Sequence, residues 1–177
     1  QSNLDAIAKD GRWGLATSDT SYSLISIDAY RPPYIPWHLT TAEFFEVVYD
    51  HLEADGVIAI NVGRAPQDQK LLAGIVATVQ TRFPSVYVID VPNSYNSIVY
   101  ATKQPTDQSY LAENRDVLEN QVSEDSITLR AVDVALQNMR PLPTGGMVFT
   151  DNQAPIEWIT NNMVLNFILS DQVQEMP

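Results

Sequence analysis

Apolar residues along this chain alternate between two periods. Tyr22–Ile27 (Tyr-Ser-Leu-Ile-Ser-Ile) is a short β-rich run, and the pattern predicts a strand. The next segment, Asp28–Leu39, holds Pro32, Pro33 and Pro36, which exclude a regular helix. Thr40-Thr41-Ala42-Glu43 fits a capping box with Thr40 as N-cap and Glu43 three residues on. Phe44, Val47, Val48 and Leu52 then recur at helical spacing, and Asp55-Gly56 supplies a stop signal. Val57–Val62 reads as a second, buried strand. Between Gln67 and Phe83 the residues Leu71, Leu72, Ile75, Val79 and Phe83 form one stripe, which predicts a helix that Pro84 ends. Val86–Val91 is a third strand. The turn cluster Pro92–Asn96 is too short for a crossover, so Ser97–Thr102 is expected to return antiparallel to it.

Beyond that hairpin, Asp107–Met139 carries helical spacing (Leu111, Val117, Leu118, Val122; Ile127, Val132, Leu136) over one or two helices. Pro141–Gly146 reads as a loop and Met147–Phe149 as strand-like. A last helix follows Pro155 through Ile156, Ile159, Met163 and Phe167. The order strand–helix–strand–helix–strand–turn–strand is that of an α/β fold ending in a hairpin.

Composition narrows the chemistry. The 177 residues include 10 Lys+Arg, 22 Asp+Glu, 2 His and no Cys, for a net charge of −12. With 45% apolar and 18% charged residues the chain is of globular type. No thiolate metal site, disulfide or Cys nucleophile is available. The charge disfavours nucleic acid and anionic membranes, and it suits cationic ligands or solubility alone. No basic segment followed by an apolar run opens the chain, and no apolar stretch approaches the ~20 residues of a membrane span, so a cytoplasmic location is expected.

Ligands of open α/β sheets bind beyond the carboxyl ends of parallel strands. Asp28 stands there, directly after Ile27, where a carboxylate serves as general base, orients an amine, or caps a loop. Asn61, near the end of the second strand, is in the equivalent place, where a turn-forming amide is the favoured reading. Asp10-Gly11 can hold a purine amino group or simply make a turn. Tyr30 and Tyr34 flank the loop after Asp28 and either orient an amine or pack the loop. His38 and His51, 13 positions apart, form no metal-ligand spacing with nearby carboxylates, and no metal is expected. Neither a phosphate loop nor a nucleophile elbow is present. Thr150–Glu157 reads as a helix N-terminal cap, with Glu157 at the positive end of the helix dipole.

Together these segments resemble the spermidine synthase family, in particular its bacterial spermidine synthase-like branch. The resemblance rests on Asp10-Gly11-Arg12, the run Tyr22–Phe45, Leu52–Val57, Phe83–Tyr87, Pro92–Ser97 and Thr150–Glu157. It implies the second half of a methyltransferase-like Rossmann fold, strands 4-5-7-6 with a C-terminal antiparallel hairpin, plus C-terminal helices. Residues 1–103 would be half of a nucleoside-binding domain, and 104–177 a helical extension packed on it. The implied activity is transfer of an aminopropyl group from decarboxylated S-adenosylmethionine, as co-substrate and not as a prosthetic group, to a diamine such as putrescine in polyamine biosynthesis. The alternatives are another S-adenosylmethionine-dependent methyltransferase-like enzyme, or a non-catalytic binding or assembly module on the same scaffold.

By the same resemblance Asp28 is the catalytic carboxylate, Asp10 and Gly11 hold the adenine, and Pro36 and Leu39 line the nucleoside pocket. Tyr30 and Arg31 fall on the substrate side, with Arg31 where the family usually carries a second Asp. The family's Gly-rich loop lies upstream of Asp10, and residues 1–9 contain no glycine. The chain is therefore expected to be the C-terminal half, inactive alone. Tyr22–Ile27 would then be a sheet edge with no charge and no proline, expected to pair with a second copy or with the missing N-terminal half, unless the helices after Asp107 fold over it.

Overall fold

One mixed sheet organises the chain. The computed structural model describes residues 3–29, 35–123 and 126–169. Strand β1 (Tyr22–Ile27) runs parallel to β2 (Leu52–Gly63), with Ile25 beside Ile58 and Ile27 beside Ile60. β2 pairs antiparallel with β4 (Asn96–Thr102), and β4 with β3 (Ser85–Asp90). A two-residue strand, β5 (Met139–Arg140), adds to the far edge of β3, so the order is β1-β2-β4-β3-β5. In Rossmann numbering the first four are strands 4-5-7-6, as expected. β5 is an addition that no sequence pattern announced, because two residues carry no period.

Two helices cover one face. Helix α2 (Ala42–Asp50) buries Phe44, Phe45 and Val48. Helix α3 (Lys70–Val79) buries eight of its ten residues, including Leu72, Ile75, Val76 and Val79. Opposite them Ile58, Ile60 and Val62 of β2, Val88 of β3 and Val99 and Ala101 of β4 complete the core cluster. Such alternation along β2 follows from the period of two, since every second side chain points at the helices. On the other face the pair α4 (Ser109–Glu119) and α5 (Ile127–Asn138) stands over Tyr87, Ile89 and Tyr100. Helix α6 (Ile156–Leu169) lies along α3 and buries Ile156, Ile159, Thr160 and Met163.

Several boundaries differ from the pattern-based expectation. The N-cap of α2 is Thr41, whose hydroxyl accepts from Phe44 N at 3.3 Å, and not Thr40. Thr40 donates instead to Trp37 O at 2.6 Å, closing a short 3-10 turn over Trp37–Leu39. The helix stops at Asp50, well before Gly56. Lys103 Nζ donates to the carbonyls of Tyr49 (2.9 Å) and Leu52 (2.6 Å), satisfying groups at the helix end. Gly56 lies inside β2, within the irregularity that sets Leu52 beside Tyr22 and Val57 beside Leu24. α3 is shorter than Gln67–Phe83. The extra residues belong to turns at each end, where local hydrogen bonds such as Lys70 N to Asp68 Oδ1 replace the helical ladder. Met147–Phe149 forms no strand.

That segment packs instead directly onto α3. A Cβ at Gly146 would run into the Ala73 carbonyl, and one at Gly74 into the Phe149 ring. Gly74→Ala and Gly146→Ala are expected to destabilise the chain by about 1–3 kcal/mol each, the usual cost of overpacking, read as a lower urea midpoint.

β1 remains an edge: among the described residues no strand pairs with its outer side, and the helices after Asp107 lie elsewhere. Leu24 on this strand is 56% exposed. We predict that the edge recruits another strand. For the isolated chain the expected result is a species near twice 19.7 kDa with a concentration-dependent melting temperature. A monomer at all concentrations, with fast-exchanging amides in Tyr22–Ile27, is the contrary outcome.

Candidate functional site

An open cleft of about 700 Å³ lies along β1 and is walled by the N-terminal segment and helix α1 (Gly11–Ala16). Its size falls within the ~300–1,000 Å³ of small-ligand sites. Asp10 and Gly11 line it, as do Ile25, Ile27, Asp28 and Leu39. Four of the sequence-derived candidates thus meet in one place. Pro36 is not among the lining residues; it precedes the turn Trp37–Leu39 and gives its carbonyl to Leu39 N at 2.9 Å. Tyr30, Arg31 and Tyr34 lie outside the described residues.

The parallel strand brings Asp28 to the carboxyl end of β1. There Asn61 Nδ2, from the adjacent β2, donates to Asp28 Oδ1 at 3.0 Å. Asn61 is therefore a partner of the candidate carboxylate, which parallel pairing of β1 with β2 brings about. Asp28 is exposed, so a ligand entering the cleft can reach it.

Asp10 is the N-cap of α1. Its Oδ1 accepts from Trp13 N at 2.9 Å, and Oδ2 lies 2.9 Å from His38 Nε2. The Trp13 N–H, reinforced by the nearby His38, holds this carboxyl below the ordinary aspartate value. Asp10 is thus an ionised acceptor at neutral pH. Lys9, Asp10 and Asp28 are the charged residues of the cleft wall, which is net acidic and favours cationic ligands.

A second layer holds this wall in place, and the sequence reading missed it. Arg12 forms a bidentate pair with Asp151 at 2.7 and 2.8 Å and donates to His38 O at 3.3 Å. Thr41 Oγ1 donates to Asp151 Oδ1 at 2.7 Å, and Asp151 N donates to Glu43 Oε2 at 3.0 Å. Hydrogen bonds from Arg12 and then Thr41 hold the Asp151 carboxyl below its ordinary value. Asp151 in turn raises the pKa of Arg12. Thr150–Glu157 thus does more than precede α6, although Glu157 does sit in that helix's first turn. Arg12 and Asp151 are 139 positions apart, and nothing in one sequence pairs them.

His51 caps the C-terminal end of α2, with Nδ1 2.8 Å from Val47 O and Nε2 3.1 Å from Ser18 O. Among the described residues no group of three His, Asp or Glu side chains is placed to hold a metal ion, and no helix is long and apolar enough to cross a membrane.

The Asp151 carboxyl, lowered in the fold, stabilises it above the ordinary aspartate value near ~4, and this contribution fades as pH falls through the lowered value. Asp151→Asn is expected to cost about 1 kcal/mol at pH 7, as partly exposed pairs do. The gap to the unsubstituted chain should close below roughly pH 4, as measured by urea melts across pH.

No protein-family model matches the chain. Over 92% of its length it is 26% identical to a Bifidobacterium longum (strain NCC 2705) protein named a probable polyamine aminopropyl transferase. The aligned part is 39% of that protein, so the chain spans well under half of the curated relative that it matches. A probable spermidine synthase from Corynebacterium glutamicum superimposes with a TM-score of 0.52 at 21% identity, covering 88% of this chain and 50% of that one. A spermidine synthase in complex with the transition-state analogue AdoDATO gives 0.51 at 17%, covering 92% and 48%. Human methyltransferase-like protein 13, in complex with SAH, gives 0.52 at 21%, covering 68% and 60%. The resemblance carried by Asp10–Arg12, Tyr22–Phe45 and Thr150–Glu157 is borne out: over the part that it spans, this chain is similar in sequence to a probable polyamine aminopropyl transferase and shares its fold with spermidine synthases and a methyltransferase-like protein.

Proposed function

We propose that this chain supplies the C-terminal half of the substrate site of a polyamine aminopropyltransferase. The observation that carries the reading is the meeting of Asp10, Gly11, Asp28 and Leu39 on one acidic cleft at the carboxyl end of β1. A curated relative named a probable polyamine aminopropyl transferase, and neighbours in complex with SAH or AdoDATO, support an S-adenosylmethionine-derived co-substrate. On this reading residues 1–103 are half of the nucleoside-binding domain, residues 104–177 are its extension, and upstream residues of a longer protein complete the cleft.

The reaction asks little covalent chemistry of the protein. The amine nitrogen of the diamine attacks the aminopropyl methylene carbon bound to the sulfonium of decarboxylated S-adenosylmethionine. The C–S bond breaks with its electron pair going to sulfur, and the thioether nucleoside leaves neutral. A proton from the attacking nitrogen passes to Asp28. Asn61, bonded to Oδ1, fixes the Asp28 carboxylate so that the amine meets it in one orientation. Asp10 accepts from the adenine amino group, Gly11 admits the base close to the backbone, and Leu39 packs against the nucleoside. Tyr30 and Arg31, outside the described residues, are assigned to the diamine side by the family resemblance alone, and the Arg31 cation, where the family usually has a carboxylate, would repel a diamine.

In the longer protein Asp28→Asn is expected to lower aminopropyl transfer to putrescine by about 10²–10⁴-fold with nucleoside affinity nearly unchanged. Transfer assays paired with calorimetry check this. Near-normal turnover would make Asp28 structural and remove the reading.

A further inference from the structure

The assignment of Asp10 as acceptor for a purine amino group leaves open why that carboxylate faces the base in a usable direction. Both of its oxygens are held. Oδ1 takes the Trp13 N–H, and Oδ2 lies 2.9 Å from His38 Nε2. An ionised carboxylate can only accept, so the second contact is a hydrogen bond only with the proton on Nε2. With one bond at each oxygen, the carboxylate cannot turn about its Cβ–Cγ bond without breaking one of them. The lone pairs left over keep fixed directions.

His38 does not line the cleft, so it touches the carboxylate from outside the ligand space. It is itself immobilised. Arg12, locked to Asp151, donates to the His38 carbonyl. The flanking turn is closed by Leu39 N to Pro36 O at 2.9 Å and Thr40 N to Trp37 O at 3.0 Å. The Trp37 ring stands edge-on to the imidazole, with centroids 5.8 Å apart at 83°. This is more support than an N-cap needs, since the Oδ1 bond alone caps α1.

The geometry points to His38 as a positioning residue that makes Asp10 selective for a 6-amino purine over a 6-oxo purine, an inference that rests on the reading of Asp10 above. A fixed, ionised acceptor rewards the amino group, which donates. It penalises a 6-oxo group, which only accepts and would leave the carboxylate facing a second acceptor. A carboxylate free to rotate swings away from the 6-oxo group and loses the distinction. Discrimination, and not affinity alone, is therefore what His38 contributes.

The test uses the longer protein with its upstream half. Binding of 5′-methylthioadenosine and of 5′-methylthioinosine is measured by calorimetry for the unsubstituted protein, His38→Ala, His38→Gln and His38→Asn. His38→Ala should weaken the adenine nucleoside roughly tenfold and leave the 6-oxo nucleoside within about twofold. His38→Gln, whose amide nitrogen reaches the Nε2 position, should restore discrimination. His38→Asn, whose amide falls short of Asp10, should not, and the Gln–Asn contrast carries the test if the Ala variant does not fold. Equal weakening of both nucleosides, or discrimination unchanged in His38→Ala or His38→Asn, overturns the role of His38 and leaves the proposed function standing. An unsubstituted protein that binds the two nucleosides equally, or binds neither, overturns the assignment of Asp10 and this inference with it.

Discussion

The short segment Phe149–Asp151 holds the parts of this structure in register. The Phe149 ring is fully buried, lying against Gly74 of α3 where no side chain could stand. Its N–H donates to Thr78 Oγ1 at 2.9 Å, and that hydroxyl donates onward to Gly74 O at 2.7 Å. Its carbonyl accepts from Ala42 N at 2.9 Å, at the first turn of α2. One residue thus satisfies a buried hydroxyl in one helix and an otherwise unpartnered N–H at the start of another. Two residues later Asp151 grips Arg12 and Thr41. The relative placement of α1, α2 and α3 follows from a segment with no regular secondary structure.

The consequence for the cleft is that its two carboxylates are positioned by unrelated means. Asp28 is placed by the sheet: it follows a strand whose parallel neighbour carries Asn61 near its end, and the hydrogen bond between them requires only the β1–β2 register. Asp10 is placed through the His38 ring, whose backbone carbonyl accepts from Arg12, itself paired with Asp151. The Asp28 end rests on the backbone ladder between β1 and β2. The Asp10 end depends on partly exposed ion pairs, which are weaker and sensitive to salt.

The sheet also sets where the cleft opens. In a doubly wound fold the cleft lies between the halves of the sheet, and one side of β1 here carries no strand among the described residues. Tyr22 and Leu24 are exposed on that strand, while Ile27, at its carboxyl end, is buried beneath the helices. The core lies on one face of β1, β2, β4 and β3, covered by α2 and α3 with Phe149 and the start of α6. Packing and site thus occupy different parts of the sheet: the apolar core lies under α2 and α3, and the cleft lies along the β1 edge.

Taken alone, the sequence determined β1 to β4, the helices from α2 onward and their order, but neither α1 nor the two-residue β5. The β-rich composition of Tyr22–Ile27 and the 3.6 period over Leu71–Val79 are local properties. It also placed Asp28 correctly, since a carboxylate directly after a parallel strand can lie only at the end of the sheet. Boundaries such as Thr41 for Thr40, and the entry of Gly56 into β2, were decided by tertiary contacts that override local signals: the Trp37 carbonyl took the Thr40 hydroxyl, and β1 drew the chain before Val57 into pairing. The pairs Arg12–Asp151 and Asp10–His38 were decided only by the fold. A hydrogen bond across 139 or 28 positions depends on where distant elements come to rest, and neither propensity nor period in a single sequence carries that information.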